Sequence, residues 1–265
     1  MVESCTRPDE YRVAIYSKSD SPQDLSNLLQ RELKLHPSDA LIWAHHTPGV
    51  LSKTFTAEQA RALVAAIDQI GIRGSVIHAL DLPDPHRATV VHHTRCTEQG
   101  LQIVELHNEQ DILVPWSDIE LICIGEVPLE TSRHYSAGMW AGVSAGHHYQ
   151  SPGVSVPGTP GLEAWVVCRP PHPILCIDHG RMNYEYLGSR RSDSAALNFK
   201  QFVMDLTQHA TNATLTESTL AYMDHVDPER YRFQSRDDLM RYVTLHTLMV
   251  RERTDVPQVA GNTKP

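Results

Sequence analysis

The string whose residue types and spacing come nearest to catalysis is Gly142-Val143-Ser144-Ala145-Gly146, a formal G-x-S-x-G. In a serine hydrolase that pattern bends the chain sharply between a buried strand and a helix, so that the hydroxyl stands exposed beside an oxyanion hole. Here His147-His148-Tyr149-Gln150-Ser151-Pro152-Gly153 follows, a run that cannot open a helix. The surrounding chain also lacks the strand-helix alternation of a doubly wound sheet. Sixteen histidines include the pairs His45 with His46, His92 with His93 and His147 with His148. Adjacent residues on a strand point to opposite faces, so such a pair cannot chelate one ion as i, i+4 histidines on a helix do, and H-E-x-x-H is absent. Cys168, His172 and Cys176 would approach one another if Arg169–Pro173 turned a hairpin, which supplies three N and S ligands and no obvious fourth; buried, unreactive thiols are the simpler reading. Carboxylates are scattered without a compelling pair, and no phosphate loop or dinucleotide fingerprint is present. The expectation is therefore no catalytic residue, no metal site and no cofactor. A metal-binding or hydrolytic enzyme using the His- and Ser-rich stretch around Ser144 is the alternative.

Residues suited to contact remain. Trp43, Trp116 and Trp165 lie in apolar helix or strand patterns and read as core anchors. Trp140 sits apart, in a stretch rich in Gly, Ser, Pro and His, and an aromatic with little core around it marks a contact surface. With Met139 and Tyr149 it makes one candidate partner-binding set. The other is Leu41, Ile42 and Trp43 with neighbouring His45.

The elements carrying the second set are well marked. Tyr11–Ser17 is strand-like; Ser21 then Pro22 reads as an N-cap and first helical residue, followed by the stripe Leu25, Leu28, Leu29, Leu33. A second helix opens near Pro37 and carries Ala40, Leu41, Trp43 and Ala44. Thr56 and Gln59 form a capping box, Ala60, Leu63, Val64 and Ile67 share one face, and Gly71 stands where a left-handed cap is wanted. Ser75–Leu80 supplies a closing strand.

On these anchors, together with Pro48, Leu51, Phe55 and Val76, the segment His36–Ile77 resembles the C-terminal domain of the bacterial ribosomal stalk protein. The resemblance implies a compact sandwich of three helices on a three-stranded sheet over residues 11–77. In that family a glycine-rich start to the second helix and lysines upon it dock translational GTPases. This chain has Leu35, His36 and Pro37 in that turn, with Ser38 and Leu41 at the lysine positions, so that surface is replaced by an apolar one. Burying a leucine is worth roughly 1.5–3 kcal/mol, which predicts that Leu41 and Ile42 pack on something: the neighbouring domain, a protein partner, or a second copy in a homo-oligomer.

From Ala88 to Leu187 the texture changes to seven short strand-like runs, including His86–Thr94, Gly100–Leu106, Asp111–Trp116, Asp118–Gly125, Glu163–Arg169, Pro173–His179 and Asn183–Gly188. Ala196–Ala210 follows as a helix with Leu197, Phe202, Val203 and Leu206 on one face. The order of elements, and the stretch Ile112–Ile122, resemble pleckstrin-homology-like bacterial domains, which implies a small antiparallel barrel or sandwich closed by a helix. Residues 128–162 read as a long flexible loop. Ser235 with Asp238 caps a last helix, with Leu239, Tyr242, Val243, His246 and Met249 along one face.

The predicted class is α+β: a polar segment at 1–10, a βααβαβ sandwich at 11–82, a pleckstrin-like β domain at 86–210, a helical extension at 214–254 and a polar tail at 255–265. The 265 residues carry a formal net charge of −9 and no block of Lys or Arg, which argues against nucleic acid or an anionic membrane as partner. The N-terminus lacks the features of a signal peptide, and five cysteines without C-x-x-C suit reduced thiols, so a cytoplasmic place is expected. The reading as a whole is a non-enzymatic protein-interaction adaptor.

Overall fold

The computed structural model describes residues 10–104, 111–130 and 157–255. Val13, Ala14 and Ile15 in strand β1 (Tyr11–Ile15) are all wholly buried. Successive strand residues point to opposite faces, so three buried in a row require cover on both sides. One side is supplied locally. Helices α1 (Pro22–Leu33) and α2 (Pro37–His45), strand β2 (Gly49–Val50), helix α3 (Ala57–Gln69) and strand β3 (Gly74–His78) complete the order βααβαβ. The strands form a sheet ordered β2-β1-β3, antiparallel throughout. Val13 and Ile15 join Leu25, Leu28, Leu29, Ala40, Leu63 and Ile67 in one core beneath the three helices.

The caps read from the sequence are in place. The Asp24 N–H donates to Ser21 Oγ at 3.3 Å, and Thr56 and Gln59 exchange both capping-box bonds at 3.2 Å. Gly71 takes φ +75° just beyond α3, a conformation costly for a residue with a Cβ.

In the second unit come β4 (Thr89–Val90), β5 (Thr94–Cys96), β6 (Gly100–Ile103), β7 (Ile112–Pro115), β8 (Ile119–Glu130), β9 (Pro157–Cys168), β10 (Leu175–Asp178), α4 (Ala195–His209), β11 (Thr214–Leu215), α5 (Glu217–Met223) and α6 (Arg236–Asp255). A mixed sheet runs β11-β8-β9-β10-β4, and a separate antiparallel meander runs β5-β6-β7. The expected barrel does not close. His92 and His93 interrupt the run Thr89–Cys96, so β4 pairs with β10 while β5 pairs with β6, and α4 fills the space between the two sheets with Phe199, Phe202, Val203 and Leu206.

Three further expectations are corrected. Asn183–Gly188 is not a strand: Asn183 Oδ1 accepts the Glu185 N–H at 2.8 Å and starts a 3-10 turn, Glu185–Arg190, whose Leu187 buries with Tyr184, the residue just before the turn. Leu197 is exposed rather than buried, because the buried stripe of α4 is set by Phe199 and steps of three and four from it. Both ends of the loop assigned to 128–162 belong to strands, since β8 and β9 stay paired out to Pro128 with Pro160 and Glu130 with Pro157; residues 131–156 lie outside the described residues.

Cover for the other face of β1 comes from α6. Leu245 and Leu248 pack with Ala14, Tyr16 and Ile77 of the first sheet. The same helix places Leu239, Met240 and Val243 on Leu121, Cys123, Trp165 and Val167 of the β8-β9 sheet. It is therefore buried on two sides, not along the single face expected from Leu239, Tyr242, Val243, His246 and Met249. Gly125 permits the approach: a Cβ there would lie 2.6 Å from Leu239 Cδ2. Arg73 with Glu252, and Arg251 with Glu120 at 3.0 Å, pair α6 with both units. The chain is thus an α+β protein in which α6 is the shared middle layer.

Candidate functional site

α2 begins at Pro37, with the His36 ring accepting the Ser38 N–H at 3.4 Å. Ala40 and Ala44 turn into the core, and Trp43 packs at its margin. That rotation leaves Leu41 37% and Ile42 51% exposed. After α2 the Thr47 hydroxyl donates to the Ala44 carbonyl at 2.7 Å, turning the chain into β2.

Beside this helix lies a cleft of about 650 Å³. Ile42, Trp43 and His46 form one wall with Val50 and Leu51 of the β2 strand region; Ala79, Leu82 and the Pro83–His86 turn form the floor; Asp237, Met240, Arg241 and Thr244 of α6 close the far side. The lining mixes apolar side chains with the carboxylates Asp84 and Asp237 and the Arg241 guanidinium. Asp84 caps its own 3-10 turn through the His86 N–H at 3.1 Å and lies 3.3 Å from Arg87 Nε, while Arg241 is engaged by Asp238. Burial pushes the Asp238 carboxyl up, but hydrogen bonds from Arg241 and Ser235 outweigh it and hold the group below the usual carboxylate range. The one guanidinium on the wall is thereby neutralised.

Of the residues singled out in the sequence, the cleft brings together Ile42 and Trp43. Leu41 is exposed beside them, and His45 is exposed without lining the cleft. Met139, Trp140, Tyr149 and Ser144 lie outside the described residues. Sequence reasoning missed the opposing wall, Met240, Arg241 and Thr244. Their signal is a stripe one residue displaced from Leu239 and Val243, visible only once both sides of α6 are known to be covered.

The remaining clusters are structural in character. Cys168 belongs to the core under α4 and Cys176 to the core under α6, on opposite faces of one sheet, so they cannot share an ion. Burial lifts both thiols to about 12, with nearby Glu120 adding to Cys168 and Glu163 to Cys176. Among the described residues no group of three or more His, Cys, Asp and Glu could hold a metal. Buried Glu163 accepts from Trp165 Nε1 at 2.9 Å and Arg236 Nε at 3.2 Å, which pins the first residue of α6 to the sheet. A second hollow of about 690 Å³, beside Tyr184 and Asn198, is comparable in size, and several of its polar groups bond to neighbours. Asn198 bonds Ser192 twice, at 2.7 and 2.8 Å, and His179 Nδ1 accepts the Leu162 N–H at 3.0 Å. Among the described residues no helix is long and apolar enough to cross a membrane.

A comparison with known protein families, with curated proteins and with solved structures finds no match.

Proposed function

We propose that this protein is a non-enzymatic adaptor, combining a stalk-C-terminal-like unit with a pleckstrin-like one, which holds a segment of a partner protein in the cleft between α2 and α6. The observation that carries this reading is Ile42, half exposed at a cleft that faces Met240 across from it. Apolar side chains left unsatisfied on a concave surface gain most when a partner covers them. A volume of about 650 Å³ accommodates one or two bulky side chains, within the range of clefts that bury a ligand.

Charge favours one kind of segment. Asp84 is paired with Arg87 and Arg241 with Asp238, which leaves Asp237 as the acidic group the cleft offers a partner, so a bulky apolar anchor next to a basic residue is the complementary sequence. The net charge of −9 favours such a partner over nucleic acid or an anionic lipid surface.

The test is selection from a random-peptide display library on the intact protein, with Ile42→Glu as comparator. Selected segments should pair an aromatic or large aliphatic residue with Lys or Arg, and should bind Ile42→Glu at least about tenfold more weakly, the scale of a 1.4 kcal/mol loss. Segments that lack this pattern, or that bind both proteins equally, would remove the cleft from the account.

A further inference from the structure

The hydrogen-bond phase of the first sheet leaves one edge open. The Tyr16 N–H donates to the Arg73 carbonyl at 2.9 Å and the Ala79 N–H to the Glu10 carbonyl at 2.6 Å. On the other side the Leu51 N–H donates to the Val13 carbonyl at 2.9 Å, and Tyr11 and Phe55 exchange both bonds. Even-numbered residues of β1 therefore bond towards β3 and odd-numbered ones towards β2. With Val13 opposite Val76 and Ile15 opposite Gly74, the N–H and C=O of Gly74 and Val76, and the N–H of His78, point away from β1. The His78 carbonyl is committed to the 3-10 turn it caps. Among the described residues no strand pairs with this side of β3.

We propose that two copies of this chain associate by pairing their β3 strands antiparallel about a two-fold axis through Val76. The free groups are self-complementary in that register. Val76 of each copy exchanges both bonds with Val76 of the other, and His78 N–H donates to the other copy's Gly74 carbonyl. An arbitrary extended peptide could use the same groups, yet only a second copy repeats the spacing by symmetry.

The edge also lacks the usual protection. Gly74–His78 contains no Pro, no Lys and no bulge. The flanking Arg73 is drawn to Glu252 of α6 and lies 5.4 Å from the Tyr16 ring centroid, and the Glu10 carboxylate at the other end is held by the His78 ring at 3.1 Å. Val64 and Val76 are only half buried at the margin of the first core, and Ile70, at the end of α3, is 40% exposed. Pairing would cover this apolar strip.

Sedimentation equilibrium on the full chain, from about 10 µM to about 1 mM, tests the proposal. A monomer–dimer equilibrium is expected, with amide exchange at Val76 and His78 slowing as concentration rises. Val76→Pro removes an N–H that β1 does not use, so the ladder to β1 survives while association is lost. Val76→Lys, which places like charges together at the axis, should weaken the dimer at least tenfold and recover partly in high salt. A chain monomeric throughout the range, or a dimer that Val76→Lys leaves unchanged, would overturn the proposal whether or not the proline variant folds.

Discussion

Thr219 shows how much one hydroxyl can hold at the margin of a sheet. Wholly buried, it donates to the Ile122 carbonyl at 2.9 Å and accepts the Ile124 N–H at 3.0 Å, taking the place of a neighbouring strand beside β8. Thr219→Val leaves the Ile124 N–H without a partner, while the Ile122 carbonyl keeps the Thr216 N–H at 3.2 Å, so urea denaturation should report a loss of about 1–3 kcal/mol. Gly125→Ala is a test of close packing: its methyl would have to displace Leu239, which is wholly buried, and a cost of about 1–3 kcal/mol follows. The thiols carry a pH prediction. Cys123, Cys168 and Cys176 are held at about 12 by burial, against an ordinary value of 9.0. The folded chain therefore retains protons that the unfolded chain releases. Their contribution to stability is whole below about pH 9 and is lost as pH rises towards 12. Melting temperature should fall across that window, and at pH 8 these three thiols should resist a thiol reagent until the protein is denatured.

At the scale of elements, what could be read from the sequence was whatever is decided locally. Ser21 with Pro22, Thr56 with Gln59 and Gly71 each fix a helix end through bonds to residues within a few positions, and each is where the sequence put it. The run Leu121–Ile124 already lacked the polar alternation of a one-sided strand, in keeping with cores on both of its faces. What failed was decided at a distance. Asn183–Gly188 alternates like a strand, but an Asn side-chain bond turns it. α6 looked like a one-faced helix because its second stripe, Leu245 and Leu248, answers to Ala14 and Ile77 more than 150 positions earlier in the chain. The site suffered the same way: Ile42 and Trp43 were legible as unexplained apolar residues, while their opposing wall was not. Leu245→Asp should separate the two packing jobs of α6. It places a charge against the first sheet and should cost about 3–5 kcal/mol by the reckoning for core truncation plus buried charge. Amide exchange should quicken in β1 and β3 more than in β9.

For the whole molecule, α6 turns two sheets that share no strand into one body, and the cleft exists because the helix stands where both units meet. A partner segment seated there would touch the first unit and α6 at once, so its affinity depends on α6 being docked. The most direct test follows methyl resonances during titration with a selected apolar-basic segment. The Ile42 δ1 and Met240 ε methyls, on opposite walls, should shift together and report one dissociation constant, while Ile177, buried in the other core, stays still. Shifts at Ile42 without Met240, or at neither, would contradict a docking site built jointly by α2 and α6.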